Sequence, residues 1–475
     1  MLQKIFKLSQ HKTTVKTELI AGLTTFMTMA YIIALNPNLL TNFGKEGSAL
    51  WNAVFMATCI ASAVGMFCMA FIANKPFALA PGMGLNSFFA LIVGNIVAMT
   101  GMTYIASFQT AIIIILIEGF VFIILSIFNI REKIVESIPL GIRLAISPAI
   151  GMMLLNIGFG SNVTLFNAEG GEAYVLRDFF GALTPSVALT NLGDSYGSMV
   201  LAVVTMFAGL FAIIILSKKG VKGAVLFGML TASAIHWAGE WIFLKSNPFS
   251  SLATASFVPP VMDMVNTTLF KFNFAGLVEI GWFTVITLTI TFCIIDMFDT
   301  IGTLVGTASR AGMVDENGNM PKMREALISD AVATIFGACT GTSTVTTFVE
   351  SASGVEAGGR TGLTALVTGL LFLACMFIAP IAAIIPPAAT SAALIYVGVL
   401  MLQGLKNVDF GDIEQMVPVC IMLLAMPVTG SIGHGIGLGL ISYTLIKVFS
   451  GKGKQVSILT YVITALFLVK FFLII

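Results

Sequence analysis

The chain has 475 residues, of which 57% are hydrophobic and only 10% are charged, and its net charge is +1. Soluble domains carry about 25% charged residues, so this composition predicts a polytopic membrane protein. The near-neutral charge argues against a nucleic-acid partner. The basic, amphipathic start MLQKIFKLSQHKTTVKTE has neither a short apolar run nor a small-residue cleavage site. It is typical of a retained cytoplasmic tail.

Cysteine and histidine usage indicates neither a disulfide framework nor a metal centre. The six cysteines lie within apolar runs and form no CxxC pair, whereas zinc sites need closely spaced ligands. The three histidines are too few and too scattered for a haem or metal site. We therefore expect no metal and no cofactor.

Apolar runs of about 20 residues, the length that crosses a bilayer, form two groups on either side of a polar stretch around 246–275. The first group has seven runs, near 19–40, 50–73, 77–99, 104–129, 140–160, 197–217 and 221–245. The second also has seven, near 281–306, 325–340, 343–358, 362–385, 388–405, 412–429 and 431–450. The sequence leaves open whether a further apolar segment, 456–475, spans the membrane.

The distribution of basic residues supports this count. With fourteen crossings and a cytoplasmic N-terminus, most of the 24 Lys and Arg residues fall on the cytoplasmic side, as is usual for membrane proteins. The outer side receives only Lys45, Arg177, Lys245 and Lys271, and Lys470 lies in the final segment. A wrong count in the middle of the chain would scramble this alternation. We therefore predict an all-α polytopic membrane protein with 14 transmembrane segments.

Because seven is an odd number, the second group of segments is predicted to be inverted relative to the first. Two inverted 7-segment repeats are the architecture of many secondary transporters. The third segment of each group is interrupted. In FALAPGMGLNSFFALIVG, Pro81, Gly82 and Gly84 break helix geometry, and TGTSTVTTFVESASGVEAGG is rich in Thr and Val, which favour a strand. Interruptions at matching positions point to a transporter's binding site.

Polar residues follow both interruptions. Asn86 precedes SFFALIVGNIVAMT and Glu350 precedes SASGVEAGG, so both are predicted to begin a half-helix and to cap its free N–H groups. For Asn86, capping alone is the simpler interpretation. An intramembrane carboxylate is costly and usually functional, which favours a ligand role for Glu350. Glu118 is predicted to have a structural partner, and Glu356 is predicted to pair with Arg360, four residues on.

The eighth segment contains FCIIDMFDTIGTLVGTASR, in which Asp296, Asp299 and Thr303 share one helix face. Two acids one turn apart disfavour simultaneous ionisation, so one of them can hold a proton reversibly. Asp296 and Asp299 are therefore candidates for proton coupling, with hydrogen bonding to the neighbouring backbone as the alternative. Phe88 and Phe348 flank the interruptions and are candidates for stacking on a planar ligand, although packing is the commoner role of phenylalanine.

Four motifs, in this order, resemble the AzgA-like purine permeases, a branch of the nucleobase–cation symporter family: TVKTELIAGLTTFMTMAYIIALNPNLL, ALAPGMGLNSFFA, DMFDTIGTLVG and TTFVESASGVEAGGRTGLTAL. The resemblance covers essentially the whole chain. It implies a uracil-permease-like fold, with short strands in segments 3 and 10 that meet near the bilayer midplane. It also implies a core domain formed by 1–138 and 272–385 and a gate domain formed by 139–250 and 386–455, followed by the extra segment 456–475.

By this resemblance, Asn86, Asp299 and Glu350 bind the substrate, and Thr303 stands where uracil permeases often have a histidine. That departure moves the proton-coupling role to Asp299. The implied function is proton-coupled uptake of purine nucleobases, hypoxanthine and guanine or adenine, across the cytoplasmic membrane by alternating access. The proton gradient drives it without a cofactor. The expected partners are a purine and the lipid bilayer, and a homodimer is compatible with the sequence.

An anion carrier of the sulfate type on the same architecture is the alternative, but it predicts a neutral or cationic site. An intramembrane aspartyl protease needs aspartates on separate helices and a GxGD signature, which the chain lacks. A channel needs charges arranged in a ring. We therefore expect a transporter and no enzyme. The residues leave open which purine is preferred and whether protons or sodium ions drive uptake.

Overall fold

The computed structural model describes residues 2–42, 46–128, 138–160, 164–166, 172–182, 184–310, 313, 320–429 and 431–472. In these ranges the helices are α1 (Leu2–Ile5), α2 (Val15–Met29), α3 (Ile32–Leu40), α4 (Ser48–Cys68), α5 (Met83–Thr100), α6 (Tyr104–Ile127), α7 (Leu140–Phe159), α8 (Pro185–Leu192), α9 (Tyr196–Lys218), α10 (Ala224–Gly239), α11 (Val261–Thr267), α12 (Phe274–Ile280), α13 (Trp282–Arg310), α14 (Met323–Thr340), α15 (Ser351–Glu356), α16 (Gly362–Ala374), α17 (Ala379–Ala383), α18 (Pro387–Met401), α19 (Ile413–Thr429), α20 (Ile432–Phe449) and α21 (Ile458–Phe472). The strands are β1 (Leu79–Pro81), β2 (Thr164–Phe166), β3 (Glu172–Tyr174) and β4 (Val345–Thr347). Lys45 and the end of the predicted final segment, 473–475, lie outside the described residues.

The described chain contains ten helical stretches that are long and apolar enough to cross a membrane. The segments 413–429 and 458–469 are apolar but shorter. The predicted tenth segment is not one helix, because it consists of β4 followed by the six-residue α15. The protein is thus a mostly helical membrane protein, and the fourteen crossings stay a prediction.

The long helices pack in two groups. In one group, α4 contacts α14 and α16, while α6 contacts α14 and α2 contacts α16. In the other group, α7 contacts α18 and α19, α9 contacts α10 and α18, and α19 contacts α20. Each group therefore combines helices from the first and second halves of the chain.

The two interrupted segments meet as an antiparallel pair of strands. Leu79, Ala80 and Pro81 of β1 lie opposite Thr347, Thr346 and Val345 of β4. Beyond the strands, the amide of Gly82 donates to the carbonyl of Thr344 (3.1 Å), and the amide of Phe348 donates to that of Ala78 (2.9 Å). All six strand residues are buried. This pairing satisfies backbone groups that cannot stay unpaired inside a bilayer, and it confirms the strands predicted in segments 3 and 10.

The first predicted segment, near 19–40, consists of two helices and not one. The sequence did not predict this division. Helix α2 ends at Met29 and α3 begins at Ile32, with Tyr31 between them. Pro37 lies inside α3 and removes one backbone N–H from its hydrogen-bond ladder. Tyr31 is fully buried, so its side chain lies in the interior of the protein.

Candidate functional site

Asp299 lies on α13 beside the junction of β1 and α5. A Cβ atom placed on Gly82 would lie 3.6 Å from its Oδ2 atom. The side chain is partly exposed, and its carboxylate accepts no hydrogen bond from any residue that the structure describes. Buried and half-buried polar groups usually have partners, so an unbonded carboxylate at this depth is available to a ligand.

Glu350 lies between β4 and α15. Its Oε1 atom accepts a hydrogen bond of 2.7 Å from the hydroxyl of Tyr31. Its Oε2 atom accepts none from any other described residue. The backbone carbonyl of Glu350 accepts from the hydroxyl of Ser353 (2.7 Å), which also contacts that of Thr28 (2.9 Å). Hydrogen bonds therefore link Glu350 to the first membrane segment, which comprises α2 and α3, and the Oε2 atom stays available to a ligand.

The two carboxylates form one site. Helix α13, which carries Asp296 and Asp299, contacts α15, which begins directly after Glu350, so the three acids lie in one region of the protein. Helix α5 starts next to them at Met83, and no side-chain hydrogen bond caps its first turn. The free N–H groups of that turn carry the positive end of the helix dipole, which stabilises nearby negative charge.

Asp296 belongs to a buried network behind the site. The hydroxyl of Thr300 lies 3.0 Å from Oδ1 of Asp296 and 3.2 Å from Oδ2 of Asp330 on α14. It also contacts the hydroxyl of Thr346 on β4 at 2.7 Å. All four side chains are buried. A hydroxyl has one proton to donate, so Thr300 donates to one carboxylate at a time and can accept from the hydroxyl of Thr346.

Asn86 and Glu118 support the approach to β4. The amide of Asn86 donates to the carbonyl of Pro81 (3.1 Å), and its oxygen accepts from the hydroxyl of Ser343. The hydroxyl of Thr344 donates to Oε2 of Glu118 at 2.6 Å. Asn86 and Glu118 are fully buried. The contact of Asn86 with Ser343 and that of Glu118 with Thr344 therefore hold the loop before β4 against α5 and α6.

The sequence matches the Permease family over residues 16–434. The chain belongs to this family. Adenine permease AdeQ of Escherichia coli strain K12 is 37% identical over 100% of this chain and 96% of its own length. Guanine/hypoxanthine permease PbuO of Bacillus subtilis strain 168 is 36% identical over 99% of this chain and 100% of its own. These relatives confirm the family resemblance.

A solved structure shares the fold of this permease at low sequence identity. The transmembrane domain of the cyanobacterial bicarbonate transporter BicA superposes with a TM-score of 0.61 and 16% identity. The match covers 88% of this chain and 97% of that domain. At this identity the similarity concerns the fold alone.

Two capping predictions for the permease are wrong. Helix α5 begins at Met83, so Asn86 lies inside its first turn, and its side chain turns back to Pro81 and across to Ser343. Glu350 does precede α15, but its side chain forms no cap and contacts Tyr31 instead. In both cases a partner distant in sequence competes with the local N–H groups.

The predicted pair between Glu356 and Arg360 is also wrong. Helix α15 ends at Glu356, so the two residues are not on one helix face. Glu356 is exposed, while the guanidinium of Arg360 donates to the carbonyls of Val355 (2.6 Å) and Gly359 (2.8 Å). The last turn of α15 and the turn after it thus supply the backbone acceptors that replace the carboxylate.

The aromatic and threonine candidates are mostly enclosed. Phe88 packs against Phe292, with ring centroids 4.8 Å apart, and is 2% exposed. Phe348 and Thr303 are 6% and 7% exposed. Contact of Phe88, Phe348 or Thr303 with a ligand stays a prediction.

Sequence reasoning missed residues that complete the site through long-range contacts. Tyr31 reaches Glu350, and Thr300 joins Asp296 to Asp330 and Thr346. Tyr31 directly precedes the run IIALNPNLL. The two asparagines and the proline in this apolar run predict an irregular helix in this segment. Thr300 had no comparable local signal, because threonine in a membrane helix commonly bonds to its own backbone.

We expect Gly82→Ala to destabilise the permease because the residue lies against the paired strand. The added Cβ would stand 2.5 Å from Cγ2 of Thr346, and overpacking of this kind costs about 1–3 kcal/mol. The measurement is the melting temperature of the purified protein. Gly94→Ala is the matched control, since nothing lies within 4 Å of its added Cβ. Equal melting temperatures for the two variants would contradict the prediction.

Proposed function

We propose that this permease takes up purine nucleobases, hypoxanthine and guanine or adenine, across the cytoplasmic membrane. The observation that carries this proposal is full-length similarity to proteins named adenine permease and guanine/hypoxanthine permease. Asp299 and Glu350 bind the base, Asn86 keeps the strands that frame it in place, and Phe348 and Thr303 lie at its margin. A transport role without enzymatic chemistry agrees with the names of these relatives.

The geometry supports a small planar base with hydrogen-bond donors on its edge. The Oε2 atom of Glu350 and the carboxylate of Asp299 accept hydrogen bonds and are not occupied by described residues. Guanine presents a ring N–H and an exocyclic amine side by side, and a carboxylate accepts such a pair. Free N–H groups at the start of α5 are donors for a carbonyl or ring nitrogen.

Proton binding at Asp299 and Asp296 is the coupling step of the proposal. A proton on Asp299 neutralises part of the charge that the site acquires from three neighbouring acids. Asp296 shares the hydroxyl of Thr300 with Asp330, and two close carboxylates disfavour simultaneous ionisation. The proton gradient is therefore the proposed energy source, with no cofactor.

The proposed architecture has fourteen segments in two inverted repeats, a cytoplasmic N-terminus and a division into core (1–138 and 272–385) and gate (139–250 and 386–455). The two packing groups of helices support this division, because α4, α14 and α16 fall in the first and α7, α9, α18 and α19 in the second. A homodimer is compatible with this arrangement.

Alternating access is proposed to occur where glycines face large neighbours across the two groups. A Cβ on Gly84 of α5 would lie 2.6 Å from Cγ2 of Ile150 on α7. A Cβ on Gly433 of α20 would lie 2.8 Å from Cγ2 of Thr291 and 3.7 Å from Cζ of Phe88. These glycines bring the core and gate helices into close contact, and small sliding of packed helices is one form of domain motion.

An anion carrier is the alternative on the same fold. The similarity to BicA concerns the fold alone. Asp299 and Glu350 place negative charge at the site, and negative charge repels an anion. The purine proposal is therefore favoured.

Uptake of labelled purines in a host without its own purine permeases tests the proposed function. We expect accumulation of hypoxanthine, guanine or adenine that collapses when a protonophore is added. Unlabelled purines should compete, whereas bicarbonate and sulfate should not. Accumulation that survives the protonophore but requires sodium would contradict proton coupling, and the absence of any purine uptake would contradict the function.

A further inference from the structure

Tyr31 is a buried residue that contacts the substrate site through Glu350 but does not line its surface. It lies between α2 and α3 and is fully buried, so it has no face toward a bound base. Its hydroxyl donates to Oε1 of Glu350 at 2.7 Å. A phenol has one proton, and this hydrogen bond uses it.

The contact divides the two oxygens of Glu350 between two tasks. Oε1 is held by Tyr31, while Oε2 accepts no hydrogen bond from any other described residue. A second link through Ser353 and Thr28 fixes the backbone of Glu350 to α2. The backbone and one oxygen are thus both fixed, and Oε2 is left with a defined direction.

We propose that Tyr31 is a positioning residue that sets which purines the site accepts, an inference that rests on the proposed function. With Oε1 engaged, the carboxylate presents Oε2 as a single oriented acceptor. Such an acceptor suits a base with one donor on the contacting edge, such as the ring N–H of hypoxanthine. Guanine adds an exocyclic amine beside that N–H, and its second donor must use the remaining lone pair of Oε1, in the direction that the bond to Tyr31 leaves open.

Removal of the Tyr31 hydroxyl changes the binding of hypoxanthine and the binding of guanine to different extents. In Tyr31→Phe the ring still fills its buried space, but the carboxylate loses its anchor and rotates. A base with one donor then binds a disordered acceptor. Guanine restores the orientation itself, because two adjacent donors engage both carboxylate oxygens. The selectivity therefore moves toward guanine.

The test is the uptake kinetics of labelled guanine and hypoxanthine for wild type and Tyr31→Phe, normalised to the amount of protein in the membrane. We expect KM for hypoxanthine to rise about tenfold, as for a lost hydrogen bond to a charged group, and KM for guanine to rise less. The maximal rates should change little. Tyr104→Phe is the control, because it also removes a partly buried tyrosine hydrogen bond, from its hydroxyl to the carbonyl of Leu40 at 2.9 Å, and Tyr104 is far from Glu350 in sequence.

A second measurement separates positioning from a structural role. In a Glu350→Ala background, which offers the hydroxyl of Tyr31 no acceptor at this position, Tyr31→Phe should leave the ratio of guanine to hypoxanthine binding unchanged, because the tyrosine acts through the side chain of Glu350. Binding is measured as the rise in the melting temperature of the purified protein when guanine or hypoxanthine is added, a readout that does not depend on transport. An equal loss for both bases, or an unchanged ratio in Tyr31→Phe, would overturn the inference. Wild-type protein that transports neither base would overturn the proposed function as well.

Discussion

Replacement of Asp299 by asparagine is expected to abolish purine accumulation against a gradient. Asparagine keeps the size of the side chain but carries no charge and cannot bind and release the coupling proton. It also replaces an acceptor that no described residue occupies, and loss of a hydrogen bond to a charged group lowers affinity by about 10- to 100-fold. The measurement is the accumulation of labelled hypoxanthine in whole cells.

Exchange across proteoliposome membranes separates binding from coupling in Asp299→Asn. Counterflow of labelled for unlabelled base needs no proton movement, so we expect it to persist at a reduced rate and without dependence on the pH gradient. Asp409→Asn is the control, since Asp409 is exposed and bonds to the nearby amide of Gly411. Full accumulation by Asp299→Asn would remove this residue from the coupling mechanism.

Glu350→Gln is expected to raise KM for guanine and hypoxanthine by about 100-fold, the effect of losing a hydrogen bond to a charged group. Tyr31 determines the outcome, because its hydroxyl requires the amide oxygen of the new glutamine as acceptor. The amide nitrogen then faces the substrate and opposes the ring N–H of these bases. Adenine has a ring acceptor at the same position, so its binding should fall less.

Competition measurements give the ranking of the three bases for Glu350→Gln. Glu356→Gln is the matched control, because Glu356 ends the same short helix but is exposed. We expect wild-type affinities for all three bases in that variant. Unchanged guanine affinity in Glu350→Gln would show that this carboxylate does not contact the base.

The interrupted segments and the acids near them could be predicted because the signals are local. Pro81 and Gly82 disrupt a helix wherever they occur in an apolar run, and β-branched residues favour the strand at Val345–Thr347. The charged residues stand out against an apolar background, so Asp299 and Glu350 needed no structural knowledge to be singled out.

The partners of those residues could not be predicted, because they are distant in sequence. Asn86 is a plausible cap by local rules, yet Ser343 and the Pro81 carbonyl take its side chain. Glu350 precedes a helix, yet Tyr31 binds its carboxylate. Capping energies of about 1 kcal/mol are smaller than the cost of leaving a buried polar group unpaired, so the tertiary partner prevails.

The pairing of β1 with β4 also affects how the protein is made. Val345 follows its partner Pro81 by 264 residues, and ribosomes add about 5–20 residues per second. Tens of seconds therefore pass between the synthesis of β1 and that of β4, and during this time the backbone groups of β1 lack the strand that pairs with them. During this interval the nascent chain depends on water, lipid headgroups or an insertion chaperone for those hydrogen bonds. Mutations near Gly82 are thus expected to reduce the yield of inserted protein as well as its stability.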